Sequence, residues 1–286
     1  MEVKREYYLN QLISHKHNGL IKIISGIRRC GKSYLLSELF RKHLLAEGVK
    51  EDHIIHIALD DYEKKQYRNP DNCYQYVKSS IKDDEMYYLL LDEVQMMDSF
   101  EDVLNGFLHI KNLDVYVTGS NSKFLSSDVV TEFRGRGDEI RVYPFSFAEF
   151  YSVIGGDWSD AWREYYTYGG MPLILSKKTD EEKAKYLQDL FKETYIRDIE
   201  ERNKIKNNDE LEELINVLGI GCLTNPQKLV STFNSVKHIG ISLPTIKQYL
   251  DYLQDSFIIN KVLRYDIKGK KYISTPSKYY FTDIGL

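Results

Sequence analysis

The octet Gly26-Ile27-Arg28-Arg29-Cys30-Gly31-Lys32-Ser33 fits the pattern G-x-x-x-x-G-K-[ST] and follows the apolar run Leu20-Ile21-Lys22-Ile23-Ile24. These residue types at this spacing suit the capture of a polyphosphate. The glycines let the backbone curl into a nest of inward-pointing N–H groups, and a helix starting at the octet's end adds roughly half a positive charge there. Lys32 is placed to reach β- and γ-phosphates, and the Ser33 hydroxyl is a hard oxygen ligand for a magnesium ion bridging them. Gly26, Ile27, Arg28, Arg29, Cys30, Gly31, Lys32, Ser33 and the adjoining Tyr34 are the expected nucleotide-binding stretch.

Three further groups could act on a bound triphosphate. Tyr88-Leu89-Leu90-Leu91-Asp92-Glu93 sets two carboxylates at the end of an apolar run. Asp92 is the expected magnesium ligand, and Glu93 the base that polarises a water for in-line attack. Val117-Thr118-Gly119-Ser120-Asn121 offers Ser120 and Asn121 as hydrogen-bonding partners of the γ-phosphate or the attacking water, with a plain turn as the alternative. Phe133-Arg134-Gly135-Arg136-Gly137 holds an arginine among glycines, so Arg136 is the candidate for neutralising charge on the transferring phosphoryl group. An exposed arginine facing solvent or an acidic partner is the competing reading. Arg28 and Arg29 are candidates for phosphate contact or for a structural ion pair, Cys30 for a small filler, and Asp60-Asp61 for helix capping.

These groups need elements to hold them. Residues 33–46, rich in Leu, Glu, Lys and Arg, read as a helix, so the octet joins a strand to a helix. Strands are expected at 53–58, 86–91, 114–118 and 139–142, and helices at 73–81 and 99–109, with a loop over 63–72. Strands alternating with helices predict an α/β domain with a parallel sheet, and ligands of such sheets bind at the carboxyl ends of the strands. Past Pro144 helices dominate, at 147–153, 158–168, 181–202 and 211–219. Then come helices over 226–233 and 243–255 and two β-rich runs, 257–265 and 272–281, around Lys268-Gly269-Lys270-Lys271, the order of a winged helix. The expected organisation is a nucleotide-binding domain over 1–145, a helical region over 146–210 and a winged helix over 211–286.

A net charge of -4 argues against a uniformly basic surface, so any nucleic-acid contact would come from a local patch. Cys30, Cys73 and Cys222 are far apart and lack CxxC spacing, which disfavours a disulfide scaffold or a zinc site built on cysteines and suits a reducing compartment. With no run near the roughly 18 apolar residues of a membrane span and a charged N-terminus, the expected location is the cytoplasm. The 23 tyrosines are scattered and read as half-buried packing. In the winged helix, residues 243–255 spend Leu243, Ile246, Leu250 and Leu253 on a core face and show Thr245, Lys247, Gln248, Asp251 and Asp255 outward. The acids repel a phosphate backbone and the lysines 268, 270 and 271 attract one, so double-stranded DNA and a protein partner both stand as ligands.

With these residues in view, the chain resembles a family of bacterial and archaeal AAA-type P-loop ATPases with a C-terminal domain of unknown function. The matching words are the octet, Leu90-Leu91-Asp92-Glu93-Val94-Gln95, Thr118-Gly119-Ser120-Asn121-Ser122, Gly135-Arg136, Tyr143-Pro144-Phe145-Ser146-Phe147-Ala148-Glu149-Phe150 and Tyr168-Gly169-Gly170-Met171-Pro172. Tyr195-Ile196-Arg197-Asp198-Ile199 and Thr245-Ile246-Lys247-Gln248-Tyr249-Leu250 also fit, so the resemblance covers nearly the whole chain. It implies an AAA-like sheet with an additional strand between the octet's strand and the Asp-Glu strand, Glu93 as the catalytic carboxylate, and a winged helix near the C-terminus. Members run on after the Asp-x-Gly-Leu segment, here Asp283-Ile284-Gly285-Leu286, into a region that can resemble a nuclease, so the native chain is expected to continue. The arginine word departs from the family's Leu-x-Gly-Arg and leaves open which arginine matters.

The expected function is a magnesium-dependent ATPase acting as a nucleotide-driven switch, with a homo-oligomer and an arginine acting within or between chains both open. The alternative is an ATP-binding, DNA-binding regulator without significant turnover. The absence of Asn-Lys-x-Asp speaks against guanine selectivity, the absence of a Leu-Ser-Gly-Gly-Gln word against a transporter ATPase, and the Asp-Glu strand end against a nucleotide kinase.

Overall fold

Strands that are apolar on both faces must be covered on both sides, and the computed structural model shows this arrangement. It describes residues 3–120, 135–205, 209–220, 226–237, 240–262 and 277–286. The chain divides into two compact units, Met1–Trp158 and Ser159–Leu286. The segments expected as a helical region and a winged helix share the second unit from residue 159 onward.

The first unit opens with α1 (Glu6–Ser14), a helix that the charged N-terminus did not suggest; Tyr8 and Leu12 are its buried side chains. Arg5, just ahead of it, is buried: Nη2 donates to the Tyr143 carbonyl at 2.6 Å, Nε lies 3.3 Å from Glu149, and the guanidinium sits over the rings of Tyr8 and Phe145. The word Tyr143 to Phe150 is therefore the dock for the chain's start. Glu149 also completes a capping box with Ser146 at the head of a later helix.

Next come β1 (Ile21–Ser25) and a continuous helix, α2, running Lys32–Tyr34, then a π-type stretch Leu35–Phe40, then Arg41–Ala46. After it follow β2 (Ile54–Ala58), α3 (Pro70–Ser80), β3 (Tyr87–Asp92), α4 (Phe100–Phe107), β4 (Leu113–Thr118), β5 (Gly137–Arg141) and α5 (Phe147–Ile154). The five strands form one parallel sheet in the order β2-β3-β4-β1-β5, so β4 is the strand between β1 and β3. One face packs Ile55, Ile57, Leu89, Leu91, Val115 and Val117 against Val77, Val103, Leu104 and Phe107 of α3 and α4. At about 1.5–3 kcal/mol for each such side chain, this burial holds the strand ends in place. Lys22 is the polar exception in β1. It is fully buried, paired with Asp114 on β4, which also accepts from the Tyr116 hydroxyl at 2.9 Å. Burial lowers the Lys22 pKa and the hydrogen bond to Asp114 opposes that shift.

Residues 63–72 are not the loop expected of them. Tyr62–Arg68 forms a 3₁₀ helix because Asp61 caps it, Oδ1 accepting from the Glu63 amide at 3.0 Å, and Asn69 then caps α3 ahead of Pro70.

In the second unit, α6 (Trp158–Tyr168) leads in from the boundary; α7 runs Asp180–Asp189, through a π-type stretch Leu190–Ile196, into Arg197–Asn203. Then come α8 (Asp209–Ile220), α9 (Pro226–Thr232, continuing as Phe233–Lys237) and α10 (Leu243–Asp255). The antiparallel pair β6 (Ile259–Val262) and β7 (Lys278–Phe281) closes the unit. On α10 the buried residues are Ile246, Tyr249, Leu250 and Leu253; Tyr249 takes the place expected for Leu243, which is only half-buried. Helix, helix and strand pair occur in the expected order, while the wing tip Lys268, Gly269, Lys270 and Lys271 lies outside the described residues, as does Cys222. The words Tyr168 to Pro172 and Asp283 to Leu286 meet: the buried Asp283 carboxylate accepts from the amides of Gly170 at 2.7 Å and Gly285 at 2.9 Å. Among the described residues no helix is long and apolar enough to cross a membrane.

Candidate functional site

Parallel pairing fixes which residues share an edge. Ile24 stands opposite Thr118, Leu91 opposite Val117, Ala58 opposite Asp92 and Ser25 opposite Arg141, so the segments leaving β1, β3 and β4 converge at the carboxyl edge. Directly after β1, Gly26 has φ +140, and a Cβ there would stand 2.1 Å from the Val142 carbonyl oxygen. Only glycine lets the chain pass so close to the end of β5. Arg29, with φ 65, and Gly31, with φ 99, then turn the loop back so that Lys32 begins α2. Ile27 and Cys30 are buried, Cys30 with its sulfur 3.4 Å from the Val142 oxygen and its amide donating to the Ile27 carbonyl at 3.3 Å. Cys30 is packing, as the filler reading expected. Arg28, Arg29, Ser33 and Tyr34 are exposed around this turn.

Lys32 is 3 % exposed, and its Nζ donates to the carbonyls of Gly26 at 2.9 Å and Ile27 at 3.1 Å. An ammonium has three donors. Two of them close the loop on itself, which holds the charge at the loop's centre.

Asp92, the last residue of β3, is 5 % exposed. Burial pushes its pKa above the ordinary 3.8, hydrogen bonds from the Thr118 and Ser33 hydroxyls pull it back, and the nearby Glu93 and Asp60 charges add to the rise. Ser33 and Asp92, 59 positions apart in sequence, are thus near enough for the hydroxyl to bear on the carboxylate. A hydroxyl and a buried carboxylate near one another are hard oxygen donors. This donor set fits a magnesium ion.

Glu93 turns away from its neighbour through a left-handed backbone, φ 52, a strain of about 1–3 kcal/mol that the surroundings must impose. Thr118 imposes it: the hydroxyl accepts from the Glu93 amide at 3.0 Å while donating to Asp92 Oδ1. The Glu93 carboxylate in turn accepts from the Ser120 hydroxyl at 2.9 Å and from the Gln95 amide, and that amide nitrogen is also 3.3 Å from the Ser120 oxygen. A carboxylate held by two neutral donors at the mouth of the loop is arranged to accept a proton from water. The sequence pointed to Ser120 but not to Thr118 or Gln95 as parts of the site. Their signals were present: a threonine at the end of a strand one step before Gly-Ser, and an amide two residues after the Asp-Glu pair.

Asn121 lies outside the described residues, as does Arg134. Arg136 immediately precedes β5, and its carbonyl accepts from the Ile21 amide at 2.9 Å at the amino edge of the sheet. Five strand residues, about 16 Å at 3.3 Å each, separate that edge from the loop, further than one arginine side chain extends. Within one chain Arg136 therefore does not serve this site. Arg141, at the other end of β5 and opposite Ser25, is the arginine of that strand on the loop's edge; its guanidinium lies 5.2 Å from the centroid of the Tyr143 ring. Asp61 caps a 3₁₀ helix as expected of it, whereas Asp60 is exposed and close enough to raise the Asp92 pKa.

Residues 18–151 match a family model described as an AAA domain, and residues 159–286 match one described as a domain of unknown function, DUF8612. An uncharacterized protein of Haemophilus influenzae is 34% identical over 293 residues, covering 99% of this chain and 72% of the relative. An uncharacterized protein of Methanocaldococcus jannaschii is 28% identical over 281 residues, covering 92% of this chain and 60% of the relative. Among solved structures, the Walker-type ATPase PABY2304 of Pyrococcus abyssi is similar with a TM-score of 0.66 at 16% identity, covering 99% of this chain and 94% of that one. At that identity the likeness is one of fold.

Proposed function

Since the chain belongs to the family of AAA-type P-loop ATPases that carry a C-terminal domain of unknown function, we propose that it binds ATP with magnesium and hydrolyses it to ADP and phosphate. The observation that carries this reading is the Thr118 hydroxyl joining the Asp92 carboxylate to the Glu93 amide at the carboxyl edge of the sheet, with Lys32 closing the loop there, Ser33 near Asp92, and Glu93 held by Ser120 and Gln95. Magnesium, when bound, supplies positive charge between the phosphate oxygens and a template for in-line displacement. Lys32 exchanges its two loop carbonyls for phosphate oxygens, and the amides from Gly26 to Ser33, with the start of α2, surround the anion. Glu93 takes the proton from the attacking water as the water's oxygen bonds to the γ-phosphorus and the bond from that phosphorus to the bridging oxygen breaks, ADP carrying the oxygen away. Ser120, with Asn121 beside it in sequence, orients that water or reads the γ-phosphate.

Arg136 fits this scheme only across a subunit boundary. From the amino edge it would face a nucleotide held by a second copy of the chain, which makes a homo-oligomer part of the proposal. The second unit is the element that the nucleotide state moves. α10 exposes Lys247 and Gln248 beside Asp251 and Asp255. Those acids favour a protein partner over a duplex backbone, and a salt-dependent shift of duplex DNA by the wild type would reverse that preference. Such a switch would work in the cytoplasm.

Phosphate release by the wild type and by Lys32→Ala tests the assignment directly. Loss of a charge-assisted contact to the transferring group costs about 10²–10³-fold in rate, and equal rates would discard it. Glu93→Gln should retain nucleotide and turn over far more slowly, and unimpaired turnover removes Glu93 from its role.

A further inference from the structure

The sequence carries the pair Asn-Gly twice, at Asn18-Gly19 and at Asn105-Gly106. An asparagine in this setting is open to attack on its own carboxamide, because glycine has no side chain to shield the nitrogen that follows or to restrict its approach. The residue types make the two pairs equivalent, and the fold separates them.

Asn18-Gly19 lies in the exposed turn between α1 and β1. The Leu20 amide donates to Asn18 Oδ1 at 3.0 Å, an Asx turn that folds the carboxamide back over the Gly19 peptide. Asn18 Nδ2 donates to Asp138 Oδ2 at 3.0 Å, so the two bonds fix which end of the amide is oxygen. Gly19 has φ +74, and a Cβ there would meet no heavy atom within 4 Å. Among the described residues its amide donates to no acceptor. The nitrogen is thus free to react beside the carbon it would attack, and the Leu20 amide stands where negative charge develops on Oδ1. Asn105-Gly106 instead sits within α4 (Phe100–Phe107). There the Gly106 amide belongs to the helical ladder, and a Cβ on Gly106 would stand 3.0 Å from the Tyr74 ring. Ring closure at Asn105 requires the end of α4 to unwind from that contact.

We propose that Asn18 is a modification site of the folded protein, converting spontaneously to aspartate and isoaspartate, and that the conversion undoes the link from this turn to β5. The Gly19 nitrogen attacks Asn18 Cγ. The N–Cγ bond forms, the Cγ–Nδ2 bond breaks, and ammonia leaves with the proton that the Gly19 amide gives up. Water then opens the cyclic imide at one carbonyl or the other, which leaves an α-linked or a β-linked aspartate. Either product has a carboxylate in place of the amide that bonded Asp138, and like charges repel. The turn so loses its tie to the strand that begins at Gly137, next to the Arg136 carbonyl that accepts from the Ile21 amide. The site needs no nucleotide and does not rest on the ATPase reading.

The test is storage of the full nucleotide-free chain at neutral pH, folded and in urea, followed by peptide mass spectrometry. In the folded protein the peptide carrying Asn18 should gain roughly one mass unit and split into two isomers, about tenfold or more faster than the Asn105 peptide, since opening the helix limits the latter. In urea the two peptides should react at similar rates. An intact Asn18 peptide, or equal rates in the folded protein, overturns the proposal. Asn18→Gln, whose longer side chain must close a larger ring, should leave that peptide intact; an equal mass gain in this variant refutes the assignment to residue 18. Asn18→Asp carries the charge of the product and should unfold about 2–4 °C below the wild type at low salt, a difference lost near about 1 M salt, where screening acts over about 3 Å. An unchanged midpoint at low salt refutes the broken link to β5.

Discussion

Thr118 is the joint between the two carboxylates, and replacing it separates the contribution of its hydroxyl from that of its shape. The side chain is fully buried at the end of β4, donating to Asp92 and accepting from the Glu93 amide. Valine keeps the branched form and removes both bonds. Losing a hydrogen bond to a charged group costs about 1.5–3 kcal/mol, and leaving the Glu93 amide without its partner adds about 1–3 kcal/mol. The sum, about 2.5 kcal/mol at least, lowers the midpoint of a unit of this size by about 5 °C or more, at 2–4 °C per kcal/mol. Serine keeps both bonds and deletes one methyl, about 1 kcal/mol, so its midpoint should fall by about 2–4 °C. Activity should split further. With the Glu93 turn released, Thr118→Val should lose about 10–150-fold in kcat, the rate equivalent of the charged hydrogen bond, while Thr118→Ser stays near the wild type. Differential scanning calorimetry and phosphate release measure the two effects. A valine variant as stable and active as the serine variant would refute the coupling of Asp92 to Glu93 through this hydroxyl.

Burial raises the Asp92 pKa, so the folded state holds that proton more tightly than the unfolded chain; the cost of ionising it is absent below pH 3.8 and grows as pH rises through the folded value. Asp92→Asn should therefore stabilise the nucleotide-free protein at neutral pH and flatten the fall of stability above pH 3.8 while abolishing magnesium-dependent turnover; denaturant unfolding across pH checks it, and a less stable variant contradicts it. Gln95→Ala removes one of two donors to the Glu93 carboxylate and should lower kcat about tenfold with KM little changed; a steady-state assay showing KM alone affected would place Gln95 outside the chemistry. Gly169→Ala would set a Cβ 1.8 Å from Asp283 Oδ1 at a residue with φ +75, so the bond to the Gly170 amide must break. Limited proteolysis should then cut after β7 faster than in the wild type, and an unchanged pattern would show that the clasp does not hold the segment.

Much of the local structure is readable from residues in sequence order. α6 and α10 run Trp158–Tyr168 and Leu243–Asp255, the bounds expected from periodicity and capping, because those forces act over three or four residues. The 3₁₀ helix at Tyr62–Arg68 is harder to see: its cap, Asp61, is recognisable, but the polar residues after it carry no apolar period that would mark a helix. α1 is hidden in the same way, since its polar flank masks only two buried positions, Tyr8 and Leu12.

From the sequence alone came the phosphate loop with its lysine and hydroxyl, the paired acids after a buried strand, and the α/β character of the first unit, since each is written in adjacent residues. The tertiary structure decided what those residues touch. Ser33 comes near Asp92, and Thr118 binds Asp92 and Glu93, because β4 inserts between β1 and β3 and the parallel register aligns their carboxyl ends. The same register sends Arg136, which precedes its strand, to the far edge, where His53, Asp83 and Glu85 gather instead. Contacts between residues tens of positions apart depend on strand order and pairing, and no short-range pattern in the chain encodes either.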